Sequence, residues 1–115
     1  PPFIPVDESV EWAKRSVGFS QDCGAAVTVL IPTRTGNGAM DHLSAIGKFI
    51  EPTLDQLEDA TDYSVGQEHG RVFADLWNLE RFSSCLTCFP ARRDRLAKQN
   101  DTQQVRARVI CPSCR

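Results

Sequence analysis

The sequence predicts an α+β protein, in which an acidic body of helix–strand units is followed by a small subdomain built on four cysteines. Three observations carry this reading. A helical pattern near the start runs into a short β-branched stretch, which is half of a β/α repeat. Two Cys-x2-Cys pairs stand near the end of the chain, at Cys85/Cys88 and Cys111/Cys114. The charge changes sign between these regions: residues 1–80 carry thirteen acidic and five basic side chains, a net −8, and residues 81–115 carry eight basic and two acidic, a net +6. The boundaries follow the charge, with an acidic α/β body at 1–80 and a basic four-cysteine subdomain at 81–115.

Val6-Asp7-Glu8-Ser9 opens the first helix, with Asp7 as N-cap, Glu8 and Glu11 in the first turn, and Val10, Ala13 and Val17 on one face. Gly18 is expected to stop or weaken it. Ala25 to Ile31 is apolar and β-branched and is closed by Pro32, which suits a parallel strand covered on both faces. Gly36, Asn37 and Gly38 predict a tight exposed loop, and a short helix from Met40 to Ile46 follows. Thr53 and Gln56 fit a capping box for a better helix lined by Leu54, Leu57 and Ala60. Arg71 to Trp77 reads as a second strand and Pro90 to Lys98 as a basic helix broken at Asn100-Asp101. Gln104 to Val109 alternates polar and apolar residues, the pattern of a half-exposed strand.

With 115 residues, 41% hydrophobic and 24% charged, the composition supports one globular domain and excludes collagen-like, low-complexity and wholly disordered chains. The longest near-apolar run, 25–31, falls far short of the roughly 18 residues of a membrane span. The first residues have no basic region or apolar core of a secretory signal, and the chain opens without methionine, as a processed or excised piece would. An odd count of five cysteines suits a reducing compartment, so a cytoplasmic protein is expected.

The four paired cysteines are the strongest chemical signal. A two-residue spacer lets both sulfurs of a knuckle face one point, and two knuckles separated by 22 residues supply four thiolates with no open position. Soft, closed, four-coordinate ligation favours structural Zn²⁺ at Cys85, Cys88, Cys111 and Cys114; the alternatives are an iron–sulfur centre, a redox pair, or free or disulfide-bonded cysteines. Cys23 reads as a small packing residue, and His42 and His69 as isolated, non-ligating histidines. Arg92, Arg93, Arg95, Lys98, Arg106 and Arg108 could meet phosphates of RNA, but only Phe82 and Phe89 stand near them, and a solvated face explains them at least as well; the change of charge sign along the chain reads most simply as complementarity between two parts of one molecule. No Walker loop, nucleophile elbow, zinc-protease motif or dinucleotide glycine motif occurs.

The stretches Ile31-Pro32-Thr33-Arg34-Thr35-Gly36-Asn37-Gly38-Ala39-Met40 and Phe73-Ala74-Asp75-Leu76-Trp77-Asn78-Leu79-Glu80-Arg81-Phe82, with the two cysteine pairs, give the chain a texture that resembles the carboxyl-terminal region of radical S-adenosylmethionine proteins. The resemblance implies that Pro5 to Ile31 is a late helix–strand unit of a partial (β/α) barrel. It also implies a non-catalytic accessory domain, partnered by the rest of the parent barrel and supporting substrate binding. The family's Cys-x3-Cys-x2-Cys motif is absent, so S-adenosylmethionine and the catalytic iron–sulfur cluster would belong to the parent protein alone. In that setting Arg34 would contact a carboxylate or phosphate, with Asn37 shaping the turn; pairing with an acidic neighbour is the competing role for Arg34. The alternative function is a free-standing zinc-ribbon-like module for RNA or a protein partner.

Overall fold

The computed structural model describes residues 1–114 and has the expected mixed composition: four α-helices and a two-stranded parallel sheet. In chain order these are α1 (Ser9–Asp22), β1 (Val27–Leu30), α2 (Gly38–Ala45), α3 (Leu54–Gly66), β2 (Arg71–Ala74) and α4 (Phe89–Thr102). Short 3₁₀ turns at Val6–Glu8 and Leu79–Phe82 lead into α1 and out of β2.

Local signals place most of these elements, and packing adjusts their ends. The Thr53 hydroxyl accepts from the Gln56 N–H and the Gln56 side chain accepts from the Thr53 N–H, so the capping box that starts α3 is complete. Asp7 caps nothing: the chain enters α1 through the 3₁₀ turn, with no side-chain cap bond. Nor does Gly18 end α1. Val17, just before it, packs with Val65 and Val72, and this burial carries the helix on to Asp22 against the roughly 1 kcal/mol that an interior glycine costs.

β1 and β2 pair in parallel with Val27 opposite Arg71 and Leu30 opposite Ala74, and α2 and α3 lie between them in the chain. α1 and α3 pack together, and the sheet turns Val72 and Ala74 toward the interior. The expectation that the first strand would be covered on both faces is not met. Val27 and Val29 remain 54% and 49% exposed, Ile31 beyond the strand 63%, and no element among the described residues lies over them.

The outer edge of β2 is closed in an unusual way. The Asn100 side chain accepts from the Ala74 N–H at 2.9 Å and donates to the Ala74 carbonyl at 3.0 Å. Gln103 repeats the pattern on Val72, both bonds at 2.9 Å. Two carboxamides thus stand in for a neighbouring strand, satisfying backbone groups that an edge would leave bare. Asn100 is therefore not a helix breaker; α4 runs through it to Thr102, and Gln103 ends it in a left-handed conformation at φ 55°. Asn100→Ala should cost about 1–3 kcal/mol in urea unfolding, because it leaves the Ala74 N–H and carbonyl unpaired; Thr102→Ala, on the exposed face, should stay within about 0.5 kcal/mol of wild type.

The strand expected at Gln104–Val109 does not form. With β2's edge already occupied, its alternating pattern finds no ladder to join there. Arg95 instead donates to the carbonyls of Arg106 and Ala107, and the Gln99 side chain accepts from the Arg106 N–H. The core crosses the charge boundary at residue 80: Leu54, Leu57, Ala74 and Leu79 cluster with Phe82 and Leu96. No helix of the described residues is long and apolar enough to cross a membrane.

Candidate metal centre

The first knuckle lies between the 3₁₀ turn and α4. Ser83 folds it by donating its hydroxyl to the Cys85 carbonyl at 2.9 Å and accepting from the Cys85 N–H at 3.3 Å. Cys88 stands at the N-cap of α4, where its carbonyl accepts from the Arg92 N–H. The second knuckle is a tight turn in which the Cys114 N–H donates to the Cys111 carbonyl. The four Sγ atoms converge within 4.8 Å of one another, with those of Cys88 and Cys114 at 3.3 Å, and none forms a disulfide.

This donor set fits a metal. Sulfurs at a ~2.3 Å zinc–sulfur distance form a tetrahedron with edges of about 3.8 Å, a spacing the observed separations bracket. Cys88 is buried, Cys85 and Cys111 are half-buried and Cys114 is exposed, so the cluster sits at the surface with one side in protein. Crowding already separates the thiols in acidity. The hydrogen bond with Cys114, together with the N–H groups of Cys88 and Thr87, pulls Cys85 down to about 6. Cys114 moves up, because its proton is shared with Cys85 and Cys88. Cys88 also moves up: Cys114 lowers it, but burial and its hydrogen bonds with Cys85 and Cys111 outweigh that effect. A bound divalent ion would replace these shared protons. The four cysteines named from spacing are thus brought to one point.

No family model, curated protein or solved structure matches the chain.

Sequence reasoning missed the bed beneath the knuckles. Asp55, Glu58, Asp59 and Asp62 form an i, i+3, i+4, i+7 stripe on α3, and Arg92, Arg95 and Arg108 close on it. Arg92 donates to Glu58 at 2.7 Å and to Asp55; Arg95 donates to Asp62 at 2.6 Å. Arg108 reaches Asp59 at 2.5 Å, Asp62 at 2.7 Å and Glu58 at 3.1 Å. The Arg92 guanidinium is held charged beyond its ordinary range, first of all by its hydrogen bond to Glu58. The opposite charges of the two parts of the chain are thus spent largely on each other. Acidic helical spacing in α3, with matching basic residues at Arg92 and Arg95, was the available signal.

The loop after β1 is internally engaged. The Arg34 guanidinium lies 4.7 Å from the Trp77 ring centre and 5.3 Å from that of Phe82, donates to the Trp77 carbonyl, and sits 3.7 Å from the Asp75 carboxylate. This geometry favours the acidic-neighbour role. Asn37 caps α2 by accepting from the Met40 N–H at 3.0 Å, so it does shape the turn. Burial raises the Glu51 carboxyl, but hydrogen bonds from Thr35 and Arg81 outweigh it and hold the group below its ordinary value, which pins the loop to the chain leading into α3. Neither Arg34 nor Asn37 bonds to a cysteine knuckle among the described residues. Cys23 is exposed rather than packed, because α1 runs to Asp22 and leaves it at the helix end. His42 and His69 are both at the surface.

Proposed function

We propose that this chain is a non-catalytic, zinc-stapled accessory domain of a radical S-adenosylmethionine enzyme, completing the parent's partial barrel through its sheet. The observation that carries this reading is the unfinished sheet. Two parallel strands are helix-covered on one face, bare at Val27, Val29 and Ile31 on the other, and capped by carboxamides only along β2. Parallel strands are stable when both faces are covered, and a two-stranded sheet is a poor isolated unit. β1 is the edge at which more strands would add. Closed ligation by four thiolates supports zinc over a catalytic metal. S-adenosylmethionine and the iron–sulfur cluster remain properties of the parent protein, and Arg34 and Asn37 would stand at the carboxyl end of β1, where barrel-like sheets bind ligands.

The RNA-binding alternative draws less support. Arg92, Arg95 and Arg108 are engaged by α3, Arg81 pairs with Glu51 and Lys98 with Asp94, which leaves Arg93 and Arg106 without an ion pair among the described residues. Two tests separate the readings. An upstream Cys-x3-Cys-x2-Cys in the same reading frame supports the accessory domain, and a start codon adjoining Pro1 overturns it. In the parent protein, Val29→Asp should disrupt assembly while costing the isolated chain only about 1 kcal/mol, the span of strand propensity at a half-exposed site; unchanged assembly overturns the reading.

A further inference from the structure

Glu58 is 2% exposed, and three guanidinium groups converge on its carboxylate. Arg92 binds it through Nε at 3.3 Å and Nη2 at 2.7 Å, Arg108 through Nη1 at 3.1 Å, and Arg95 approaches to 3.7 Å. The partners of this one carboxylate come from both halves of the cysteine cluster. Arg92 lies one helical turn after Cys88 and is bonded to its carbonyl, and Arg108 lies three residues before Cys111. Arg95 adds a third tie through the carbonyls of Arg106 and Ala107, in the segment between α4 and the second knuckle. That segment has no helix or strand of its own to hold it.

We propose that Glu58 is a positioning residue for the metal centre: through Arg92 and Arg108 it fixes both cysteine knuckles on one face of α3, so that the four sulfurs converge before the metal binds. The inference rests on the metal-binding reading above. A knuckle already held in place loses less conformational freedom on binding, and that saving appears as affinity. Groups that orient metal ligands without touching the ion act in this way, typically at 10–100-fold in affinity.

The test is Zn²⁺ affinity of the 115-residue chain, measured by competition with a chromophoric chelator, together with the thiolate-to-Co²⁺ absorption of the cobalt form. Glu58→Gln and Arg108→Gln should each lower affinity by about 10–100-fold while keeping the tetrahedral cobalt spectrum and the helical circular dichroism. The double variant should lose less than the two single losses combined, because the Glu58–Arg108 bond is common to both. Arg15→Gln, in a remote exposed pair with Glu11, should bind as wild type does. If Glu58→Gln fails to fold, Arg108→Gln decides alone, since its partly exposed side chain is dispensable to the core. Folded Arg108→Gln within threefold of wild-type affinity overturns the proposal. A wild-type chain that binds no Zn²⁺ overturns the metal reading itself, a separate and recognisable result.

Discussion

Stripping the metal from the four cysteines is expected to destabilise the chain by about 4 kcal/mol when the free ion had stood near 1,000 times its dissociation constant. For a domain of this size that corresponds to a fall in Tm of roughly 10–25 °C. The loss should be concentrated in the last part of the chain. Ser83 to Cys88 and residues 104–114 lie outside the helices and the sheet, and apart from the cluster their side-chain hydrogen bonds run through Ser83, Arg95, Gln99 and Arg108. Hydrogen exchange after chelation should therefore show early loss of protection there, with α1, α3 and β2 retained longer. Elemental analysis of freshly purified, reduced protein should find one zinc per chain, abolished by Cys88→Ser or Cys111→Ser and unaffected by Cys23→Ser. Iron in place of zinc would favour the cluster alternative, and absence of any bound metal would sink the site.

Leu96→Ala should cost about 2–5 kcal/mol, the range for emptying a well-packed leucine site. Leu96 is fully buried, projecting from α4 into Leu54, Leu57, Ala74, Leu79 and Phe82, so its loss opens a cavity shared by helix α3, strand β2 and the segment leading to the cysteines. Because α4 is also bonded to β2 through Asn100 and Gln103, the acidic body and the basic tail should unfold in one transition, at a denaturant midpoint that moves as a unit. Two separated transitions in the wild type, or a cost below about 1 kcal/mol in the variant, would show that the tail packs independently of the body.

The two predictions separate what holds the chain together. A metal at the four cysteines would act on irregular segments that have little local preference for order, whereas Leu96 acts on a core whose elements form on either side of it. Between them lies the ion-pair bed on α3. Removing single partners from buried pairs is costly because charge is left stranded, and the bed therefore tells more about specificity of docking than about net stability.

Several features were legible in the residues alone, because each is governed by short-range chemistry. The Thr53/Gln56 capping box needs only neighbours three apart. The β-branched run before Pro32 announces a strand, and Cys-x2-Cys geometry brings two sulfurs together whatever surrounds it. Other features depended on partners distant in the chain. Gly18 could not stop α1, because Val17 has Val65 and Val72 to pack against. Asn100 reads locally as a helix breaker, yet it lies within α4 because Ala74 supplies a backbone donor and acceptor for its side chain. The alternation in residues 104–109 promises a strand, but Asn100 and Gln103 already occupy the edge it would join. The bare face at Val27 and Val29 likewise follows from the absence of a covering element, which no local pattern encodes. The sequence by itself determined where most helices and the two strands begin, the four-cysteine pattern and the opposing charges. Only the tertiary structure decided that those charges meet at Glu58 and that both knuckles are thereby seated on one helix, because such pairings are selected by burial and desolvation in the folded chain rather than by spacing along it.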